Sequence, residues 1–309
     1  MNKNLELELG TKCNSHCIYC EQGNNPINSS YGFLPFDEAK RVIGQAGKNG
    51  AKRLLLQGGE PTLHPNIIEI IKFAKDLGFE VVLFTNGRLF AYPDFSRKIL
   101  AAGLDRVTFS ILGNTSQCHD SITQAKGSFD QALKGIRNAL TVLDSSKISN
   151  SCVIIKGNYQ YLCDIMQLMA YIGVKMNHFI SVIPYDSLLK REDIFIPYSD
   201  ILPFVKKTIK KRGDNQILFE NIPPCLMDGY DMFLAEYHNI PLDIKRMDRR
   251  DIIEKKSVQD SRIMLEVCSG CHRHNSCLGV HKSYVHLFGS HEFCPVQKRL
   301  INATKGIYR

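Results

Sequence analysis

Cys13, Cys17 and Cys20 are spaced C-x3-C-x2-C in the segment TKCNSHCIYCEQ, close enough for three thiolates to meet one metal centre. Their neighbours Asn14, Ser15, His16 and Glu21 are polar, which argues against a chance grouping of core cysteines. A zinc site with His16 or a distant fourth ligand satisfies the spacing. A cubane iron–sulfur cluster fits better, because its four irons normally want four thiolates and only three are local. The iron left open is a place where a substrate or cofactor can bind and receive an electron. A second group, Cys268, Cys271 and Cys277, follows near the end as C-x2-C-x5-C. Here a zinc knuckle using His272, His274 or His281 competes with a second iron–sulfur cluster. Cys118, Cys152 and Cys163 each stand alone and read as inert thiols.

Such residues need a scaffold, and the chain supplies a repeating one. Short apolar runs at 5–10 (LELELG), 53–57 (RLLLQ), 80–85 (EVVLFT), 106–112 (RVTFSIL), 152–156 (CVIIK) and 179–184 (FISVIP) read as strands. Between them, 37–47, 66–77, 94–102, 128–142 and 163–172 carry apolar residues three and four apart, the helical period. The alternation predicts an α/β fold with parallel strands joined by crossover helices. Six units predict a partial (β/α)6 TIM-like barrel, short of the eight that close one. In such sheets ligands gather beyond the carboxyl ends of the strands. The segments placed there are the first cysteine loop, then GGEPTLHP, NGR, GNTSQCHD and GNYQ.

Cys13-x3-Cys17-x2-Cys20 with Tyr19 before the last cysteine resembles the signature of radical S-adenosylmethionine enzymes. Gly58-Gly59-Glu60-Pro61 is similar to the family motif that holds the amino group of the methionine moiety, where glycine permits close approach and a carboxylate can pair the ammonium. Thr85-Asn86-Gly87 and HDSITQAKGSF (119–129) also resemble family sequence, and the likeness runs over roughly 4–185. It implies a catalytic [4Fe–4S] cluster on the three cysteines, with S-adenosylmethionine on the open iron. It also implies reductive cleavage to a 5′-deoxyadenosyl radical, hydrogen abstraction from a substrate, and a flavodoxin- or ferredoxin-type electron donor. Tyr19 would lie against the adenine, and Asn86, Ser110, Lys156 and Asn158 would face the cofactor. His119 and Asp120 read as structural. The second cysteine group, with Gly279 and Tyr284, resembles the SPASM or twitch regions that carry an auxiliary [4Fe–4S] cluster. Cys225 in IPPCLMDGY would be its upstream fourth ligand, with Cys294 in EFCPV as an alternative. An unligated Cys225 would be placed to give a hydrogen atom to a substrate radical.

The expected organisation is a core at 1–190, a basic connecting segment at 191–220 and a Cys-rich auxiliary region at 221–309. With 44% hydrophobic and 23% charged residues among 309, the composition is that of a soluble globular protein. No apolar run approaches a membrane span and no signal peptide is evident. Eleven cysteines then suit metal binding in a reducing cytoplasm. The net charge of +8 gathers in KKTIKKRG (206–213) and KRMDRRD (245–251), read as solvated surface, since no aromatic-interleaved nucleic-acid motif accompanies it. The substrate expected is a ribosomally made peptide undergoing crosslinking, oxidation or epimerisation. A small metabolite such as an aminosugar or nucleoside stands close behind, favoured by a first strand that begins near residue 5 with no leader-recognition segment before it. A zinc-stabilised binding protein is the alternative of another class.

Overall fold

The computed structural model describes residues 3–20, 32–184, 188, 191, 193–235, 244–247 and 261–297. Eight parallel strands form one sheet: β1 (Lys3–Glu8), β2 (Ala51–Gln57), β3 (Glu80–Thr85), β4 (Arg106–Phe109), β5 (Ile148–Ile154), β6 (Met176–Ser181), β7 (Gln216–Glu220) and β8 (Ile244–Met247). Their order is β7-β6-β5-β4-β3-β2-β1-β8, so β7 and β8 are the two edges and the sheet stays open. The six expected strands are present in a partial, TIM-like α/β core. Two more join them from sequence expected to be a basic connector and solvated surface. The remainder of the second basic run, 248–251, lies outside the described residues.

The crossover helices α1 (Phe36–Lys48), α2 (Ile67–Asp76), α3 (Pro93–Ala101), α4 (Ser116–Thr123), α5 (Ser128–Leu140), α6 (Leu162–Tyr171) and α7 (Tyr198–Lys210) form where apolar residues recur every three or four positions. In α2 these are Ile67, Ile70, Ile71 and Ala74, all buried. The helices share a core with one face of the sheet, including Leu5, Leu7, Leu54, Leu56, Val81, Leu83, Val107, Phe109, Phe179 and Phe219. Because side chains alternate along a strand, the opposite face carries polar partners. Gln57 donates to Glu6, Arg53 pairs with Glu80 at 3.4 Å, Thr108 meets Ser149 at 2.9 Å and His178 lies 3.0 Å from Glu220.

The Cys-rich region adds β9 (Arg262–Ile263), β10 (Val280–His281) and α8 (Lys282–Phe288). It docks on the first turn of α7, whose backbone donors lack helical partners. Tyr198 N donates to Tyr284 Oη at 2.7 Å and Ser199 N to Glu292 Oε1 at 2.7 Å, while the Tyr198 and Tyr284 rings stack 4.2 Å apart.

Candidate active site

The first cysteine loop is held by the turn that follows β2. Gly59 N donates to Gly10 O and Glu60 N to Lys12 O, both at 2.8 Å. A Cβ on Gly58 would lie 2.5 Å from Gly10 O, and one on Gly59 would lie 2.4 Å from Lys12 O. Gly58 also has φ +128°, a region closed to most side chains. In this structure the close approach that the glycines permit is to the backbone of the cysteine loop. Since backbone cannot rotate away, Gly59→Ala should push the loop out of register. The expected result is loss of the iron bound by the first loop with helical and strand content unchanged, read by iron analysis and circular dichroism.

Glu60 is 2% exposed. Its Oε1 accepts from Thr62 N at 3.1 Å, Thr62 Oγ1 at 2.6 Å and Thr85 Oγ1 at 2.7 Å. Its Oε2 accepts from Asn86 N at 2.7 Å. Burial raises its pKa against the pull of these bonds. Four donors take up most of what two carboxylate oxygens can accept, so the side chain pins β2 to β3. Asn86 passes that order on, its Nδ2 donating to Asn14 Oδ1 at 2.7 Å and reaching Cys13 Sγ at 3.8 Å. Arg88, not foreseen as a site residue, donates to Asn14 O and, through Nε, to Gln131 Oε1 at 2.7 Å. It thereby ties the loop to α5. Only its place in NGR, beyond a strand end, pointed to it.

The far side of the loop rests on the end of α4, where His16 N donates to Thr123 O at 2.8 Å and Ile18 N to Ile122 O at 3.0 Å. Asp120 holds that end, accepting from Gly127 N at 2.6 Å, Ser128 Oγ at 2.8 Å and Phe129 N at 2.9 Å. Partial burial raises its pKa, but the backbone N–H groups of Phe129 and Gly127 and the Ser128 hydroxyl outweigh it and the net shift is downward. His119 is buried, accepts from Leu112 N at 3.1 Å and is driven by burial to about 4 despite Asp120. Both residues are structural. Asp120→Ala should cost about 1–2 kcal/mol, the scale of a lost helix cap. Because the folded-state pKa is depressed, this stabilisation is present above the ordinary aspartate value and disappears as pH falls through the lowered one. Thermal melts of the two proteins should therefore converge in acid.

Among the described residues no three His, Cys, Asp or Glu side chains converge on a single metal ion, as a one-metal zinc site would require. A cubane offers each thiolate a different iron, so its ligands need not meet at a point. The three thiols suit that demand. Cys13 and Cys20 feel one another's charge, as do Cys17 and both. Cys13 Sγ accepts from Ser15 N at 3.4 Å and Cys17 Sγ from the Tyr19 hydroxyl. Burial, then neighbouring charge, pushes Cys13 to about 11 and Cys17 to about 12, so cluster binding must release protons. Tyr19 also packs with the Leu188, Ile194 and Phe195 group.

The later strands divide. The Ser110 hydroxyl, half-buried beyond β4, has no hydrogen bond among the described residues, whereas Lys156 is exposed. Asn158, 0% exposed, accepts from Ile155 N at 2.8 Å and donates to Leu112 O at 2.9 Å and Val153 O at 2.8 Å. The amide expected to face the cofactor is occupied in joining the ends of β4 and β5.

In the Cys-rich region five cysteines, Cys225, Cys268, Cys271, Cys277 and Cys294, line one cavity of about 420 Å³, its open mouth included. None of the three histidines weighed as zinc ligands lines it. Backbone N–H groups point at the sulfurs: Val296 N to Cys271 and Gly279 N to Cys277, each at 3.3 Å, and Cys294 N to Cys225. Burial above all places Cys225 at about 12, while Cys294 is exposed.

The family model "Radical SAM superfamily" matches residues 7–169. An AdoMet-dependent heme synthase of Methanosarcina barkeri is 33% identical over 57% of this chain and 50% of its own length. A probable GTP 3′,8-cyclase of Methanocaldococcus jannaschii is 28% identical over 74% of each. Among solved structures, Streptococcus suis SuiB bound to the precursor peptide SuiA superposes with TM-score 0.58 at 17% identity, over 75% of this chain and 51% of SuiB. The enzyme anSMEcpe with bound AdoMet and Cp18Cys peptide gives 0.55 at 17% identity, over 67% and 58%. The chain thus spans about half the length of the heme synthase and of SuiB.

Proposed function

Because the chain belongs to the radical SAM superfamily, whose model spans more than half of it, we propose that it cleaves S-adenosylmethionine at a cluster on Cys13, Cys17 and Cys20 and modifies a ribosomally made peptide. The observation that carries this reading is the clamping of a three-thiol loop by Gly58, Gly59 and Glu60 at the carboxyl ends of β1 and β2. When bound, the cluster and S-adenosylmethionine would supply one-electron cleavage of the sulfonium and a hydrogen-abstracting radical. The protein's part is positional. Asn86 and Ser15 N orient Cys13, the Tyr19 hydroxyl orients Cys17, and Ser110 keeps a free hydroxyl for the cofactor. Because the Glu60 carboxylate is engaged, backbone carbonyls around Gly58 and Gly59 are the groups left to receive the methionine ammonium.

Cys225, Cys268, Cys271 and Cys277 are proposed to hold an auxiliary [4Fe–4S] cluster, with Cys294 as the spare thiol at the cavity mouth. Full ligation by four thiols suits oxidative modification. A peptide substrate is supported by the peptide complexes among the structural neighbours. A small metabolite is the second reading, favoured by the names of the heme synthase and cyclase relatives. A flavodoxin- or ferredoxin-type donor and a cytoplasmic setting complete the proposal. In keeping with that setting, no helix among the described residues is long and apolar enough to cross a membrane. Anaerobically reconstituted protein with dithionite should convert S-adenosylmethionine to 5′-deoxyadenosine. Iron-loaded protein that fails to do so would overturn the assignment.

A further inference from the structure

His281 is 4% exposed, yet neither ring nitrogen has a hydrogen-bond partner among the described residues. A buried polar group left so is costly unless something fills the gap. Directly across the β9–β10 ribbon lies Arg262. Its Nη1 donates to Gly279 O at 3.2 Å and its Nη2 to Asn221 Oδ1 at 3.0 Å, and its buried Nε has no partner. Both acceptors are neutral, and the half-buried guanidinium forms no ion pair with a carboxylate among the described residues. Burial first, and then the Arg262 charge, lower His281 to about 3, which leaves the ring neutral at pH 7 with one N–H to donate.

The ribbon borders the five-cysteine cavity through Val280 and reaches the end of β7 through Arg262. Ile263 and Val280 pair on one face, and Val280 lines the five-cysteine cavity. Arg262 and His281 form the neighbouring pair of the register, and the Arg262 charge is felt by Cys277 in the cavity. From there Arg262 reaches Asn221, which directly follows β7 and donates to Ser181 O at the end of β6 at 3.4 Å. The carboxyl ends of β6 and β7 are where ligands of parallel sheets gather. Asn221 has φ +63°, an uncommon conformation for a residue with a side chain, so the backbone here is bent to hold the amide in place.

We propose that Arg262, His281 and Asn221 form a binding site for a carboxylate of the substrate. A guanidinium edge with a free Nε–H matches a carboxylate, and a neutral imidazole N–H adds a second donor. The term "substrate" rests on the function proposed above; the carboxylate site itself does not.

The test uses reconstituted protein carrying 15N-histidine, titrated with sodium acetate at constant ionic strength and pH 7. One ring signal, assigned by its absence in His281→Gln, should shift saturably. Arg262→Gln should weaken the response at least tenfold, and Arg262→Lys, which keeps the charge but loses the fork, should weaken it less. The thermal midpoint should rise in acetate over chloride for the unaltered protein and not for Arg262→Gln. Absence of both responses, or responses equal in Arg262→Gln, would overturn the site. Whichever of succinate and a doubly capped tripeptide with a central aspartate competes at the lower concentration identifies a small-molecule or a peptide source. Iron content of the same samples separates the two failures: protein without iron defeats the proposed function, while iron-loaded protein indifferent to acetate defeats the carboxylate site alone.

Discussion

Cys17→Ala protein is expected to form no measurable 5′-deoxyadenosine from S-adenosylmethionine under dithionite, while retaining about four of about eight irons. The thiol cannot be replaced from nearby. Its loop is fixed on one side by the end of α4, and the remaining thiols, Cys13 and Cys20, are held on that same loop. Losing an outer partner of a metal ligand already costs roughly 10–100-fold in affinity or activity, and losing a ligand from a set of three should exceed that. Unfolding does not account for such a result if circular dichroism is unchanged, since Cys17 only borders the core and the strands beneath it keep their own packing. Unchanged cleavage in Cys17→Ala would remove the assignment of the first cluster.

Cys271→Ala is expected to separate cleavage from turnover. Iron should fall from about eight to about four per chain, 5′-deoxyadenosine should still form, and modified substrate should fall below detection. Cys271 sits inside the cavity with its sulfur receiving Val296 N–H, so its removal leaves three of the four proposed ligands, Cys225, Cys268 and Cys277. Cys294→Ala should by contrast keep both clusters, because the four inner thiols remain. If Cys294→Ala instead loses the second cluster and Cys225→Ala keeps it, the fourth ligand is Cys294.

Strand β3 was legible from end to end because EVVLFT holds an unbroken apolar run, Val81 to Phe84, between Gly78 and the turn residues Asn86-Gly87. Strands β5 and β6 begin earlier than their apolar runs, at Ile148 and Met176. Their first halves carry Asn150 and Asn177, a buried pair 3.3 Å apart whose hydrogen bond replaces apolar contact, and local hydropathy cannot register a partner 27 positions away. Strand β7 hides behind the lysine-rich end of α7, since five residues with two buried positions give too little alternation to stand out. At the site, residue types and spacing indicated which segments meet beyond the strand ends. They did not show what each group does there. Gly58 and Gly59 pack on the cysteine loop, and Asn158 donates its amide to backbone. Arg262 is invisible as a site residue, and His281 passes only as a candidate zinc ligand. Their pairing depends on a two-residue ribbon whose register is set by the Cys-rich region around it.

Metal analysis of the anaerobically reconstituted protein addresses the central claim most directly. Two cubane sites predict brown protein with about eight irons per chain and little zinc. Colourless protein that holds zinc and no iron would contradict the account and restore the reading of a zinc-stabilised binding protein.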